Sequence, residues 1–236
     1  MNLARARDGS VKGEPPIMSD LQFEVLECGD LSAAQRTEIL GLFEANYRSA
    51  NPAFLEKSLA RLRHVAIAYG NRGAAGFGIA ESRVMDLPQW PGEVVMLAGL
   101  CCIAPSHRRQ GLFRALENMA ANAAPVPDVS RRLFCGRMAH PAALRSIASI
   151  GSVVPTPGVR PSPVQQETGK LIAEAYGVTE FDPETFVCMG NGDPIGYPKI
   201  ELEVEPHEWE VFEAVDRSRG DALLALAWFP TDPSDW

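Results

Sequence analysis

A stretch in the middle of the chain decides how the fold is interpreted, and residues 103–116 of it are IAPSHRRQGLFRAL. It is preceded by Glu93–Ile103, which is nearly all apolar, as expected for a strand buried on both faces. It continues into an amphipathic segment that predicts a helix from about Gly111 to Ala124. A strand that enters a helix through a glycine turn points several backbone N–H groups at one spot, where the helix dipole adds about half a positive charge. The stretch therefore predicts an anion site at the start of a helix.

Positive side chains surround this turn. Arg108 and Arg109 lie in it, and Arg114 lies one turn into the helix. Gly111 has no Cβ and lets an anion approach the backbone closely. The chain carries a formal net charge of −8, so the turn is a local positive region in an acidic protein, and we expect a pyrophosphate there. Taken alone, the arginines and the glycine favour an ordinary charged turn; the flanking strand and helix favour a binding site.

The rest of the chain alternates between strand and helix patterns. N-cap residues mark helix starts, and short apolar or alternating runs mark strands. The predicted strands are Leu21–Glu27, His64–Tyr69, Ala74–Met85, Glu93–Ile103, Arg132–Ala139, Thr185–Met189, Ile200–Val204 and Asp221–Trp228, and the predicted helices begin near Ser32, Asn51, Gly111, His140, Gln165 and Pro206. Such alternation predicts an α/β (α+β) fold with a mixed sheet.

The turn and its flanks resemble the GNAT superfamily of acetyltransferases. The signature of that family is a strand ending in Val-x-Pro, followed by Arg/Gln-x-x-Gly-x-Gly/Ala at the start of a helix. Here Ile103-Ala104-Pro105 ends the strand, Arg108 and Gly111 match the motif, and Phe113 replaces its last small residue.

A second block supports the first. His140-Pro141-Ala142-Ala143-Leu144-Arg145 through Ile150-Gly151 resembles the Asn-Pro-x-Ala…Leu-Gly helix that lies beside the pantetheine arm in that family. One predicted strand, Leu133–Ala139, separates the two blocks, as the resemblance requires. The match covers roughly Leu21–Val154, and the two blocks support each other because either alone is a weak signal.

The resemblance implies a GNAT-type acyl-CoA N-acyltransferase fold: a central mixed, splayed sheet flanked by helices, with a C-terminal α/β extension. It implies acetyl-CoA or another acyl-CoA as cosubstrate and a small amine or peptide amine as acceptor, which attacks the thioester directly. Backbone groups around Cys102–Ile103 would bind the pantetheine, and the thioester would lie between that strand and Leu133–Ala139. The residues predicted to bind the cofactor are Cys102, Ile103, Arg108, Arg109, Gln110, Gly111, Leu112, Phe113, Arg114 and His140.

The catalytic positions of the family are filled in an unusual way. The Glu or His base of many relatives corresponds to about Leu97 or Gly99, and their Tyr acid corresponds to Ile147, so none of these positions titrates. The remaining catalytic candidates are His140, Glu81 and Tyr197. If none of them acts, the alternative function is a non-catalytic acyl-CoA-binding or regulatory protein of the same fold.

Each candidate has a plain structural alternative. His140 can act as base, acid or pantetheine donor, or it can simply cap the helix that it starts. Glu81 can deprotonate an amine through water, or it can be a solvated strand residue. A covalent acyl-enzyme on Cys101 or Cys102 is disfavoured, because adjacent strand residues face opposite sides and buried cysteine is usually inert.

The chain divides into three predicted parts. Residues 1–19 are expected to be a disordered leader, residues 20–160 the GNAT-like acyl-CoA-binding domain, and residues 161–236 a C-terminal α/β segment that completes the sheet or forms a lid. Pro155–Pro163 contains four prolines and marks the boundary.

Composition excludes several classes of function. The net charge of −8 argues against nucleic-acid binding, which needs a positive surface, and favours cationic acceptors such as amines. No apolar run reaches the roughly 18 residues of a membrane span. Five cysteines without CxxC spacing argue against a disulfide framework or a metal site and predict a reducing, cytoplasmic environment. A homodimer remains compatible with the sequence.

Overall fold

A computed structural model describes residues 20–200 and 202–236. The predicted leader, residues 1–19, lies outside the described residues. The strands are β1 Gln22–Glu27, β2 Tyr47–Arg48, β3 His64–Gly70, β4 Gly73–Leu87, β5 Trp90–Ile103, β6 Arg132–Met138, β7 Val153–Val154, β8 Phe181–Asp182, β9 Val187–Cys188, β10 Tyr197–Pro198 and β11 Ala222–Phe229. The helices are α1 Ala33–Asn46, α2 Pro52–Arg61, α3 Leu112–Ala121, α4 Pro141–Ala148 and α5 Pro163–Ala175, with 3-10 turns at Cys28–Asp30, Pro105–His107 and Pro206–Phe212.

One mixed sheet organises these elements. Its strands follow the order β1-β3-β4-β5-β6-β11-β9-β8, and β7 pairs with β11. Every pair in the described sheet is antiparallel except β5–β6, which is parallel. Strand β11, which comes from the C-terminal segment, lies between β6 and β9. The predicted α/β fold with a mixed sheet flanked by helices is confirmed.

The parallel pair separates partway along its length. Strands β5 and β6 pair from Val95 opposite Leu133 to Ala98 opposite Gly136. Beyond that point β5 runs on to Ile103 beside β4, whereas β6 runs on beside β11. The two strands therefore form a fork, and the edge of β5 that faces β6 has no strand partner past Ala98.

Helix starts follow the capping residues of the sequence. The Ser32 side chain accepts a hydrogen bond from the Gln35 backbone amide, and the Gln35 side chain accepts one from the Ser32 backbone amide. This reciprocal pair is a capping box. The Asn51 side chain accepts from the Ala53 amide at 3.1 Å at the start of α2. These local hydrogen bonds satisfy amides that the helices leave free, which explains why both starts were predictable.

Helix α3 lies unusually close to the sheet because small residues face it. A Cβ added to Gly78 would lie 3.0 Å from the Leu116 Cβ, and one added to Gly76 would lie 3.1 Å from the Leu116 Cδ1. Leu112 and Leu116 are buried against alanines of β3 and β4, including Ala66. This contact holds the first turn of α3 next to the end of β5.

Two predictions in the C-terminal segment are wrong. The predicted strand Ile200–Val204 does not form: Ile200 and the described residues 202–205 belong to no strand. Arg145 instead holds this stretch by donating to the Glu203 carbonyl oxygen at 2.7 Å and pairing with Glu208. The predicted Pro206–Val215 helix is a 3-10 turn that ends at Phe212. Alternating residues form a strand only where a sheet edge is available for backbone pairing. Here the backbone accepts a hydrogen bond from the Arg145 side chain instead.

Two further elements are shorter than expected. The predicted strand Thr185–Met189 contains only β9. The helix expected to run to Ala124 ends at Ala121. Boundaries of this kind depend on tertiary packing more than on local pattern.

Candidate functional site

A cavity of about 230 Å³ opens at the fork between β5 and β6. Ala98–Cys101 of β5 and Gly136–His140 at the end of β6 line its two arms. Helices α2, α3 and α4 contribute further walls, and Ile195 and Ile200 close over it from the C-terminal segment. The cavity therefore lies where β5 and β6 leave a free edge inside the sheet, beside the start of α3.

The turn that opens α3 exposes its backbone amides. Gly111 is the N-cap, with φ +80° in the left-handed region, and no side chain of the described residues caps this start. A Cβ added to Gly111 would meet nothing within 4 Å in the described chain, so the space above the turn is open. The amides of the first turn lack partners inside the helix, and the helix dipole makes this end positive. A helix start of this kind has the geometry that anions favour in proteins, and the pyrophosphate expected there stays a prediction.

One arginine of the predicted phosphate turn has hydrogen-bond partners within the protein. Arg108 donates from Nη2 to the Asn46 side chain at 3.0 Å, from Nη1 to the Lys199 carbonyl oxygen at 3.3 Å and from Nε to the Ile103 carbonyl oxygen at 3.4 Å. Its guanidinium thus ties the end of β5 to α1 and to the C-terminal segment. Sequence alone does not show these acceptors, and the prediction that Arg108 binds the anion stays a prediction.

The other predicted residues of the turn divide between surface and packing. Arg109 is exposed with φ +63°, and Gln110 donates to the Ser106 carbonyl oxygen at 3.3 Å. Leu112 is buried, while Phe113 is 36% exposed and lines the cavity. Arg114 donates to the Ser149 hydroxyl at 2.7 Å, which joins α3 to the end of α4.

The free edge of β5 lies slightly earlier than predicted. Ala98–Cys101 line the cavity, whereas Cys102 and Ile103 are buried and lie outside its lining. The correction follows from the fork, because β6 leaves β5 directly after Ala98. The register with β4 also shifts between Gly78 and Ala80, and such a bulge redirects the backbone groups beside it.

Gly99 is required at this bulge. A Cβ there would lie 2.7 Å from the Leu62 Cδ1 and 2.9 Å from the Ile79 carbonyl oxygen. The position that the sequence resemblance aligns with a Glu or His base therefore has no room for any side chain in this protein.

Tyr176 holds the fork at its closed end. Its hydroxyl lies 2.8 Å from the Ala98 carbonyl oxygen and 2.9 Å from the Cys135 carbonyl oxygen, one on each strand. The side chain is buried, and burial raises its pKa well above the ordinary value. Tyr176 follows α5 in the segment that resembles no family motif, so sequence reasoning missed it.

Glu117 is a carboxyl group in the cavity wall that sequence reasoning also missed. It lies one turn beyond Phe113 on α3, and its carboxyl has no hydrogen-bond or ion-pair partner among residues 20–200 and 202–236. Burial raises its pKa to about 8, and the nearby Arg114 charge opposes this rise only in part. The signal available in the sequence was the i, i+4 spacing from Phe113, which places both on one side of the helix.

His140 both caps α4 and lines the cavity. Its Nδ1 accepts a hydrogen bond from the Ala142 amide at 3.1 Å. The Trp209 ring packs edge-on against the His140 ring, with 5.1 Å between the ring centres. Burial lowers the pKa of His140, as do the charges of Arg217 and Arg145. A neutral imidazole that accepts at Nδ1 carries its proton on Nε2, so His140 can donate one hydrogen bond into the cavity.

The other two catalytic candidates lie outside the cavity lining. Glu81 forms an ion pair with Arg83 and accepts a hydrogen bond from the Arg63 amide at 2.9 Å, so it fixes the edge of β4. Tyr197 is 46% exposed on β10, which pairs with β2. The structure thus brings His140 to the fork and gives Glu81 and Tyr197 other surroundings.

The two adjacent cysteines are poorly suited to nucleophilic chemistry. Burial raises the pKa of the Cys101 thiol, with a further contribution from Glu117, and burial raises the pKa of Cys102 to about 12. A thiol reacts as thiolate, and neither group supplies much thiolate near neutral pH.

Within residues 20–200 and 202–236, no group of three His, Cys, Asp or Glu side chains is arranged to hold a metal ion. None of the helices in the described part of the chain has the length and apolar character needed to cross a bilayer.

No protein-family model matches the sequence, and no curated protein matches it. Solved structures of acetyltransferases do match. A structure of the NatC complex bound to Gag peptide and CoA has a chain with 14% identity and a TM-score of 0.41, and the match covers 61% of this chain and 87% of that one. An aminoglycoside acetyltransferase from an uncultured soil metagenomic sample, solved with sisomicin, shows 19% identity, a TM-score of 0.31 and coverage of 43% and 68%.

A third neighbour is the ribosomal-protein-alanine N-acetyltransferase of Brucella melitensis, with 19% identity, a TM-score of 0.29 and coverage of 42% of this chain and 67% of that one. These neighbours are acetyltransferases, the kind of protein that the two sequence blocks resemble. Because their TM-scores are below 0.5, these similarities do not indicate an activity for this protein.

Proposed function

We propose that this protein is an acyl-CoA-dependent N-acyltransferase, which moves an acetyl or other short acyl group to a primary amine. The observation that carries the proposal is the position of the cavity: one strand edge without a partner runs from the fork to an uncapped helix start. An extended thioester with a phosphate-bearing end needs both features, arranged in this order.

The start of α3 suits the pyrophosphate of acyl-CoA. The amides of Leu112, Phe113 and Arg114 lie in the first helical turn, and Gly111 leaves the approach open. The free edge of β5 after Ala98 offers backbone groups to the amides of the pantetheine arm. With the cofactor bound in this way, the thioester would lie at the fork, between the two strands that Tyr176 holds together.

The reaction requires one bond to form and one to break. The amine nitrogen attacks the thioester carbonyl carbon, the C–S bond breaks, the amine loses a proton and the CoA thiolate gains one. The Nε2–H of His140 is available to polarise a carbonyl oxygen, and such preorganised donors stabilise the developing oxyanion. Holding amine and thioester together in the cavity supplies a further part of the rate enhancement.

Glu117 fits the proton transfer. With a pKa of about 8, its carboxyl is mostly protonated at neutral pH and can donate to the departing thiolate. It takes the place of the tyrosine acid of many relatives, which is Ile147 here. A group with a pKa near the working pH is the most effective proton donor.

The test is transfer from labelled acetyl-CoA to a panel of primary amines, run beside calorimetric titration of the protein with acetyl-CoA. Binding together with labelled amide product supports the proposal. A protein that binds no acetyl-CoA contradicts it.

The runner-up function is a non-catalytic acyl-CoA-binding or regulatory protein. It is favoured by the side chains at the usual base and acid positions, Leu97, Gly99 and Ile147, none of which titrates. Tight binding of acetyl-CoA without turnover on any amine of the panel would favour this reading over the enzyme.

A further inference from the structure

Two guanidinium groups lie in the cavity wall near Tyr176 and Gly177, and burial together with the charge of Arg137 lowers the pKa of Arg61. Arg61, the last residue of α2, and Arg137 of β6 both line the cavity. The Arg137 guanidinium carbon lies 5.9 Å from the centre of the Tyr176 ring. The Arg61 Nε lies 3.4 Å from the position that a Cβ on Gly177 would take, so both groups flank the Tyr176-Gly177 corner.

Neither group has an acidic partner. In the part of the chain that the structure describes, no carboxylate lies within 4 Å of the Arg61 or Arg137 guanidinium nitrogens. The Arg137 Nε is buried without a hydrogen-bond partner. Arg137 also lies near the Cys188 thiol. Burial raises the pKa of that thiol to about 11, and the charge of Arg137 opposes this rise.

The remaining charged residues of the lining do not compensate the two arginines. Lys57 is paired with Asp193 at 2.6 Å, and Asp221 is paired with Arg219 and accepts the Gly190 amide. Glu117 lies across the cavity on α3, and its carboxyl is mostly neutral at pH 7. The wall therefore has an uncompensated positive charge, opposite in sign to the net charge of −8.

The end of α5 accounts for only part of this arrangement. The C-terminus of a helix attracts cations, and α5 ends at Ala175, beside the Tyr176-Gly177 corner. However, the carbonyl oxygens of Ile172, Ala173 and Glu174 already accept hydrogen bonds from Tyr176, Val178 and Gly177. A helix end that is already capped gives no reason for two arginines to approach each other.

We infer that Arg61 and Arg137 form a carboxylate-binding site, so that one of the two reactants carries a carboxylate. Two guanidinium forks suit the two oxygens of a carboxylate, which would offset their mutual repulsion. This inference rests on the proposed function and adds a substrate class to it. The carboxylate belongs either to the amine acceptor, as in an amino acid, or to the acyl group, as in a dicarboxylic acyl-CoA.

The binding experiment needs no turnover. N-acetylleucine and N-acetylleucinamide differ only by carboxylate against amide, and each is titrated into the protein in the presence of CoA and in its absence. We expect the acid to bind about tenfold or more tightly than the amide, and the difference to disappear in Arg137→Gln and Arg61→Gln. Arg137→Lys keeps the charge without the fork and should restore part of the preference.

The kinetic experiment separates the two sources of the carboxylate. With acetyl-CoA, leucine is compared with leucinamide; with leucinamide as acceptor, succinyl-CoA is compared with butyryl-CoA. The arginine variants should lower kcat/KM about tenfold for the carboxylate member of one pair and leave the neutral member unchanged. The affected pair identifies whether the acceptor or the acyl group carries the carboxylate.

Arg72→Gln is the matched control, since it removes one positive charge on the exposed turn between β3 and β4. Thermal unfolding of each variant checks that it folds. The inference is overturned if acid and amide bind equally to the unchanged protein, or if the variants alter both members of each pair alike. Retained acetyl-CoA binding with either of these results would leave the proposed function intact.

Discussion

The two ends of the proposed substrate site carry positive charge by different means. At the start of α3, outside the cavity lining, the charge comes from the backbone amides that follow Gly111, whereas at the other end, in the cavity wall, it comes from the side chains of Arg61 and Arg137. The first end is formed by consecutive residues of one turn. The second is assembled from α2 and β6, which are distant in sequence. The difference shows that a positive region made of backbone follows from the local sequence, while one made of side chains depends on how distant elements pack.

The largest expected effect is at the backbone end. Gly111→Glu places a negative side chain in the open space above the amides, and acetyl-CoA affinity should fall by at least about 100-fold because like charges repel. Calorimetric titration measures it. Gly158→Glu is the matched control, because Gly158 also has a positive φ and open space around its Cβ position. Equal affinities of the two variants would rule out the phosphate site.

The next effect concerns the proton donor between the two ends. Glu117→Gln keeps the shape of the side chain and removes the transferable proton, so kcat should fall about 100-fold with little change in KM for acetyl-CoA. The kcat of the unchanged enzyme should decline above about pH 8, as Glu117 loses its proton. The same pH–rate profile in the variant would show that Glu117 only packs beside Cys101.

The fork itself can be tested through stability. Gly99→Ala inserts a Cβ at 2.7 Å from the Leu62 Cδ1 and 2.9 Å from the Ile79 carbonyl oxygen, and should lower the free energy of unfolding by about 1–3 kcal/mol. Gly41→Ala in α1 has nothing within 4 Å and should raise it by about 0.5–1 kcal/mol, since alanine favours the helix. Denaturant unfolding measures both, and a stable Gly99→Ala protein would contradict the tight bulge.

A smaller effect links Glu117 to the pH dependence of stability. Its folded-state pKa of about 8 lies above the ordinary carboxyl value, so the folded protein binds this proton more tightly than the unfolded chain does. The stabilisation is complete below about pH 4.5 and is lost as the pH rises through about 8. The unfolding free energy of Glu117→Gln, relative to the unchanged protein, should therefore increase between about pH 5 and pH 9. No change across this interval would mean that the carboxyl ionises freely.

The smallest expected effect on binding is at Arg108. Because its guanidinium is held by Asn46, Lys199 and Ile103, Arg108→Ala should change acetyl-CoA affinity by less than about threefold, and mainly lower the unfolding temperature. Calorimetry and thermal unfolding separate the two outcomes. A loss of affinity comparable to that of Gly111→Glu would return Arg108 to the phosphate site.

Much of the structure of residues 20–154 could be predicted because the deciding signals are local. Ser32 and Asn51 cap the helices that they were expected to start, and Gly111 opens α3 in the left-handed conformation that a glycine adopts readily. His140 caps α4 as its position before Pro141 suggested. Each of these features depends on residues within one turn of the chain.

The predictions that depended on residues distant in sequence agreed less well with the structure. The alternation of apolar and polar residues around Glu203 predicted a strand, but the Glu203 carbonyl oxygen accepts a hydrogen bond from Arg145 and the described residues of the segment pair with no sheet edge. Glu81 had the chemistry of a base, yet packing gave it Arg83 and the Arg63 amide. Nothing in the order of residues shows which partner will be nearest once the sheet has formed.

The sequence by itself determined the glycine turn that opens α3, the alternation of strands and helices, and the lack of a titrating residue at Leu97, Gly99 and Ile147. Only the tertiary structure decided that Tyr176 joins the two arms of the fork, that Glu117 lies in the cavity wall, and that Arg61 and Arg137 line the same cavity. The physical reason is range. Turn geometry and capping act over about four residues, whereas the cavity is formed by residues of α2, β5, α3, β6 and α4 and of the C-terminal segment, which are far apart in the chain.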